Sequence, residues 1–322
     1  MPVIASSGYK RPPSHHFNAH LQTILPNLRV ITGVDYERER LELPDGDFVD
    51  LDWLIRGHDK LILLSHGLEG NSDRAYMQAA AKFFSARGWD VVAWNCRSCS
   101  GELNRTTTMY HHGETGDIRQ VIAHILGNYH YGKIALAGYS LGGSIILNYF
   151  GRHAEEVPTE IIGGVAFSVP CDLRSCAARL DEYQNFLYKK LFKRSLTKKF
   201  NAKNDQFPGL VPMEKLKLVK RWFDFDNFLS APAIGFKDAD DYYSSASSFH
   251  HLSNIRKPAL LVNALNDPIL AGDCYPVELA SKSKSLWLEM PRFGGHVGFM
   301  MPREKEYSWM EYRALAFFEQ GL

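Results

Sequence analysis

Lys133-Ile134-Ala135-Leu136-Ala137-Gly138-Tyr139-Ser140-Leu141-Gly142-Gly143 decides the fold. A strand-length apolar run leads directly into Gly-x-Ser-x-Gly, and residues 141–153 continue with apolar side chains at helical spacing. A serine on so sharp a strand-to-helix turn stands clear of the sheet at a helix N-terminus, where free N–H groups and the macrodipole favour developing negative charge. The glycines two before and two after it let strand and helix approach without collision. The five-residue pattern alone also fits a tight turn with a capping serine; the strand before and the helix after make it a nucleophile candidate.

Working outward, short and nearly continuous apolar runs recur at 60–65 (KLILLS), 89–95 (WDVVAWN), 163–169 (GGVAFSV), 258–265 (PALLVNAL) and 285–290 (SLWLEM). Runs of this kind are strands buried on both faces, as a parallel sheet requires. Helical spacing fills 73–87, 116–129, 273–282 and 304–319. The alternation predicts an α/β fold with a mostly parallel central sheet and helices on both faces. Residues 36–55 alternate apolar and polar around Pro44-Asp45-Gly46-Asp47, which predicts an antiparallel hairpin. One interval breaks the rhythm. Residues 171–257 are mostly helical in pattern, rich in aromatics and lysines, and broken at Pro208-Gly209, Pro212 and Pro232. They read as a lid inserted between two consecutive strands of a single domain spanning 1–322.

The chain has 322 residues, 45% of them hydrophobic, which supplies ample core and excludes disorder, collagen and coiled coil. With 37 Lys plus Arg against 36 Asp plus Glu, the chain has no electrostatic footprint for nucleic acid. Five scattered cysteines, Cys96, Cys99, Cys171, Cys176 and Cys274, do not make a secreted disulfide framework. No signal peptide and no 18-residue apolar span are expected, so a cytoplasmic protein without a transmembrane segment follows.

A serine nucleophile needs a base, and the base an orienting carboxylate. In this architecture both should follow the nucleophile, acid first and histidine second, each just past a later strand. Asp267 in Asn266-Asp267-Pro268 follows PALLVNAL, and His296 in Gly294-Gly295-His296-Val297-Gly298 follows SLWLEM. The expected triad is Ser140, Asp267 and His296. Asp240 and Asp241 fall in the insertion, and Asp273 reads as a cap of the following helix. His111, His112, His250 and His251 lack the strand-end, glycine-loop setting of His296. A tetrahedral intermediate also requires two N–H donors. His66-Gly67-Leu68-Glu69-Gly70, after KLILLS, offers the backbone N–H of Leu68; the residue after the nucleophile offers that of Leu141. His66 is expected to brace its loop, since a triad uses a single base.

With these residues in hand, the sequence resembles the α/β-hydrolase superfamily, and within it the YheT-type esterases related to the ABHD lipid hydrolases. The likeness covers nearly the whole chain. Besides the segments above it is carried by Asn18-Ala19-His20-Leu21-Gln22-Thr23-Ile24, by residues 95–102 (NCRSCSGE), by Tyr110-His111-His112-Gly113-Glu114-Thr115 with Asp117, and by Gly235-Phe236 with Asp241-Tyr242-Tyr243. The resemblance implies the same triad. Ser98 departs from it, standing where the family pattern has glycine in an Arg-Gly-Cys run. Some lipid-directed relatives carry an N-terminal membrane anchor, which this chain is expected to lack.

Cys96-Arg97-Ser98-Cys99 has no second pair and no histidine cluster at zinc spacing, so it reads as a structural loop. No Walker lysine or Gly-x-Gly-x-x-Gly accompanies the glycine loops. No metal or organic cofactor is expected. Lys189, Lys190, Lys193, Arg194, Lys198 and Lys199 interleave with Phe186, Leu187, Leu191 and Phe192, a pattern read first as a solvated helix face and second as a membrane-surface helix. Tyr183, Tyr188, Trp222, Phe223, Phe225 and Phe228 either line an acyl pocket or pack the insertion onto the sheet.

The sequence thus predicts a serine esterase that cleaves small-molecule carboxylic esters of small to medium acyl chain through an acyl-enzyme. An acyltransferase passing the same acyl group to another acceptor, and a lipid-directed hydrolase, are its alternatives. A catalytically silent binding module would have no need of all these parts. Oligomeric state is not legible in the sequence.

Overall fold

A computed structural model describes residues 2–320, so Met1, Gly321 and Leu322 of the expected single-domain span lie outside the described residues. Among the described residues nine strands form one sheet: β1 (Val3–Ile4), β2 (Glu37–Glu42), β3 (Phe48–Leu54), β4 (Lys60–Ser65), β5 (Asp90–Asn95), β6 (Lys133–Tyr139), β7 (Ile161–Phe167), β8 (Ala259–Val262) and β9 (Leu286–Glu289). Their order is β1-β9-β8-β7-β6-β4-β5-β3-β2. Only β3 runs against its neighbours, pairing antiparallel with both β2 and β5. Helices α1 (Ala19–Ile24), α2 (Ala75–Ser85), α3 (Gly116–Asn128) and α4 (Leu141–Arg152) precede β7. Next come α5 (Leu173–Leu180), α6 (Phe186–Gln206), α7 (Trp222–Phe225), α8 (Ala231–Ala233) and α9 (Ala239–Ala246), all between β7 and β8. The last two are α10 (Val277–Lys282) and α11 (Trp309–Gln320). Every apolar run read from the sequence is a strand, within a few residues at each end.

The parallel strands bury both faces. In β4, Leu61 and Leu63 join the cluster containing Ile118, Ile122 and Ile145, while Ile62 and Leu64 join Met77, Phe83 and Met310 on the other side. Each such side chain withdrawn from water contributes about 1.5–3 kcal/mol, and the two-sided packing accounts for runs without polar alternation.

The hairpin at 36–55 forms as expected, with Gly46 at φ 81° in its turn. Two of its polar positions are nevertheless buried: Asp50 and Asp52 of β3 are 1% exposed. Arg40 and Arg38 on the edge strand reach across to them as two-point ion pairs, and Ser100 and Asn95 add further donors. The edge strand β2 is thereby fastened by charge rather than by an apolar face. A two-residue β1 pairing with β9 was invisible to pattern reading, because two residues carry no period.

The segment between β7 and β8 is helical, as expected, and packs a third cluster of Leu180, Phe200, Trp222, Phe225, Leu229 and Tyr243 with Met109 and Ile269 of the sheet-side loops. Residues 226–230 form a π-helical turn. Along α6 the basic residues divide. Arg194 and Lys198 face water, but Lys199 is buried and paired with Glu69 at 2.6 Å, so it does not belong to a solvated face. Spacing on one helix cannot show that a carboxylate from a distant loop waits opposite one of its lysines. Asp273 is also not a cap of α10; it lies in a short 3-10 turn, and Pro276 precedes the helix.

Candidate active site

Register places the loops. Ser65 of β4 stands level with Gly138 of β6, so His66-Gly67-Leu68 emerges beside Ser140 at the carboxyl edge of the sheet. Val262 of β8 is level with Phe167 of β7 and with Glu289 of β9, which brings the loops carrying Asp267 and His296 to the same edge. In open α/β sheets this edge is where ligands bind.

Ser140 adopts φ 53° and ψ −119°, a left-handed-side conformation that a side chain seldom takes. Its N–H donates to Phe167 O at 2.8 Å, fixing the turn. The close approach of strand and helix requires Gly142: a Cβ there would lie 2.2 Å from Ser65 O. From Ser140 a chain of hydrogen bonds runs inward. Ser140 Oγ is 2.9 Å from His296 Nε2, and His296 Nδ1 is 2.9 Å from Asp267 Oδ2. The Asp267 side chain is fully buried, and its other oxygen accepts the N–H groups of Ile269 at 2.9 Å and Leu270 at 3.3 Å. Charge-assisted bonds of this kind hold a buried carboxylate in one orientation. With Nδ1–H directed to the carboxylate, the lone pair of Nε2 faces the serine.

The two residues expected to supply N–H donors line the cavity together with Ser140. Gly67 N–H donates to the Tyr76 hydroxyl and Glu69 N–H to the Tyr110 hydroxyl, each at 2.9 Å, and neither of these bonds uses the Leu68 N–H between them. Leu141 is the first residue of α4, where backbone N–H groups have no intrahelical acceptor. His66 braces its loop. Its Nδ1–H donates to Gly67 O at 2.7 Å, its Nε2 accepts from Cys96 N–H at 3.1 Å, and burial pushes its pKa down to about 4.

His111 and His112 line the same cavity as Ser140 but stand apart from its hydrogen-bond chain; burial lowers them to about 4 and about 3. Asp240 pairs with Arg174 at the surface, and Asp241 accepts from Lys237 N–H. Cys96 and Cys99 are buried free thiols, and among the described residues no cluster of His, Cys, Asp and Glu has the composition of a metal site.

Pattern reading assigned no role to Gln22 or Thr23, yet α1 holds the histidine loop. Thr23 Oγ1 accepts His296 N–H, and Gln22 Oε1 accepts both Gly294 N–H and Asn266 Nδ2–H, all at 2.9 Å. Ser168 Oγ takes Val297 N–H at 2.9 Å. The stretch from Asn18 to Ile24 was the signal that could have pointed to the first two.

The cavity above Ser140 has a volume of about 110 Å³. Its walls include Leu68, Leu141 and Ile269, with Phe192 and Leu196 from the inner face of α6. Trp222 of the insertion reaches it, whereas Tyr183 lies on the surface at 90% exposure.

Sheet order, strand-to-helix serine turn and carboxyl-edge loops define an α/β-hydrolase architecture, and a family model described as alpha/beta hydrolase fold matches residues 60–300. The chain belongs to that family. It is 34% identical over 296 residues to YheT of Escherichia coli (strain K12), an inferred esterase, covering 88% of this chain and 84% of that one. It is 28% identical over 323 residues to the human phospholipase ABHD3, covering 95% and 77%. Among solved structures, the Pyrococcus furiosus esterase Pf2001 superimposes with a TM-score of 0.58 at 18% identity, over 98% of this chain and 99% of that one, a likeness of fold. Among the described residues no helix is long and apolar enough to cross a membrane.

Proposed function

We propose that this chain is a serine hydrolase of carboxylic esters with small to medium acyl chains, using Ser140, His296 and Asp267 as its triad. The observation that carries this reading is the unbroken line of hydrogen bonds from Ser140 Oγ through His296 to Asp267. Ser140 Oγ attacks the ester carbonyl while His296 Nε2 takes its proton; Asp267 holds the ring and stabilises the imidazolium. The oxyanion is received by the N–H groups of Leu68 and Leu141. His296 then returns the proton to the departing alcohol. Water, deprotonated by the same nitrogen, attacks the acyl-enzyme carbonyl, and His296 passes that proton to the departing Ser140 Oγ as the acid is freed. The chemistry draws on these groups alone.

The apolar lining supports an acyl group as the part held in the cavity. Its volume of about 110 Å³ favours the shorter chains. Residues 171–257 act in this reading as a lid carried by a single domain, since α6 and the π-helical turn contribute walls to the cavity. Exposed Phe186, Leu187 and Leu191 beside Lys190 and Arg194 make the outer face of α6 the place for any peripheral lipid contact. Five free thiols suit a reducing, cytoplasmic setting.

The test is hydrolysis of p-nitrophenyl esters from acetyl to palmitoyl by the wild type and Ser140→Ala. Turnover by the wild type alone, with an optimum among the shorter chains, is expected; equal turnover by the variant would refute the role of Ser140.

A further inference from the structure

One wall of the cavity is chemically unlike the rest. The π-helical turn at 226–230 carries Asp226 and Ser230 one turn apart, both lining the cavity. They are 6% and 7% exposed. π-Turns are rare and recur at functional sites because they re-aim the side chains of one helical turn. Tyr243 donates its hydroxyl to Asp226 Oδ2 at 2.7 Å. Burial pushes the Asp226 carboxyl up to about 6. The Tyr243 bond and the nearby Ser230 and Trp222 side chains draw it partly back, yet Ser230 Oγ has no hydrogen-bond partner at proper geometry. A carboxyl and a serine hydroxyl thus line a largely apolar cavity, and among the described residues the hydroxyl is buried without a well-aligned partner.

Leaving the Ser230 hydroxyl buried without a partner carries its full desolvation cost. A ligand hydroxyl answers it, accepting from the serine and donating to the carboxylate beside it. The half of the ester that needs this enclosed space is the acyl half, which stays on Ser140 after the alcohol has left. We infer that Asp226 and Ser230 form a polar subsite that selects hydroxyl-bearing acyl groups, with the substituent seated against Ser230 Oγ and the Asp226 carboxyl. The inference rests on the esterase reading above. It deepens that reading by making the pocket selective for hydroxyacyl esters over plain alkyl ones. Sites built to bond a substrate hydroxyl discriminate strongly against analogues lacking it, because their own polar groups are then left unpaired.

The experiment compares kcat/KM for p-nitrophenyl hexanoate and octanoate with their 3-hydroxy and terminally hydroxylated counterparts. A second arm compares the methyl and glyceryl monoesters of one plain acid. For the wild type, at least one hydroxyacyl ester should exceed its plain parent by about tenfold or more, one charge-assisted hydrogen bond's worth of selectivity. Ser230→Ala should reduce that ratio several-fold, and Asp226→Leu combined with Tyr243→Phe should abolish it. Ser230→Ala removes a single oxygen, so it reports on the ratio even where the double variant does not fold. A wild-type ratio near one or below overturns the subsite, as does a ratio unchanged in Ser230→Ala. A preference confined to the glyceryl arm overturns its assignment to the acyl half. Parallel labelling by a fluorophosphonate separates the two levels. Cleavage of plain esters with a labelled Ser140 and no hydroxyl preference removes the subsite alone, whereas no cleavage and no label removes the esterase reading itself.

Discussion

His296 Nε2 lies 2.9 Å from Ser140 Oγ, although 156 residues separate them in the chain. The ring can take that position only because Nδ1 is held from behind by Asp267 and the loop from beside by Thr23 and Ser168. Asp267→Asn keeps the size of the group and removes its charge, presenting an amide where a carboxylate accepted Nδ1–H. Ester turnover should fall by about 10³–10⁴-fold while the thermal midpoint changes little. Steady-state kinetics with a short-chain ester, read beside a melting curve, checks both halves.

Gly142 meets the carbonyl oxygens of Ser65 and His66, and a Cβ on it would come within 2.2 Å and 2.6 Å of them. Those atoms are backbone and cannot swing aside. Gly142→Ala should therefore cost about 1–3 kcal/mol or more of stability, by forcing α4 away from β4. Urea denaturation followed by circular dichroism measures it; an unchanged midpoint would show that the two elements are less closely seated than described.

Arg97 is buried and grips Asp117 through two bonds of 2.8 Å and 2.7 Å, with Asp47 at 2.8 Å on its other side. Asp117 lies in the first turn of α3 and Asp47 immediately precedes the second strand of the hairpin, so a single guanidinium ties the two together. Arg97→Ala leaves the buried carboxylates of Asp47 and Asp117, and that of the more exposed Asp45, without their cation and should destabilise by about 3–5 kcal/mol. Arg97→Lys should recover little, since an ammonium cannot reproduce the two-point grip. Chemical denaturation of both variants decides this.

Burial holds His66, His111 and His112 at about 4, about 4 and about 3, all below their ordinary 6.5. The unfolded chain therefore binds protons first as the pH falls. Stability should be unaffected by these groups above pH 6.5 and should decline as the pH drops from there to about 3. Denaturant midpoints at half-unit steps over that window test the sign. A midpoint that rose on acidification would contradict the burial of neutral histidines.

Much of this was legible in the sequence, for physical reasons. Strands covered on both faces declare themselves as apolar runs, and β4, β6 and β8 needed nothing else. Ser140, Asp267 and His296 could be named as candidates because each follows such a run at the edge where this architecture gathers its loops. Pairings between distant segments left no such mark. The burial of Lys199 depends on Glu69, and that of Asp50 on Arg40, contacts with no local period. The same holds for Gln22 and Thr23, whose support of the histidine loop exists only once α1 is folded against it. The π-helical turn carrying Asp226 and Ser230 was hidden too, since a one-residue change of helical pitch barely alters the spacing of apolar side chains.

The most direct test of the account is to treat the protein with a fluorophosphonate and locate the adduct by peptide mass spectrometry, in the wild type, Ser140→Ala and His296→Ala. A single adduct on Ser140 is expected in the wild type, none in Ser140→Ala, and labelling slowed by orders of magnitude in His296→Ala. An adduct on another residue, or labelling of Ser140 at the same rate without His296, would contradict it.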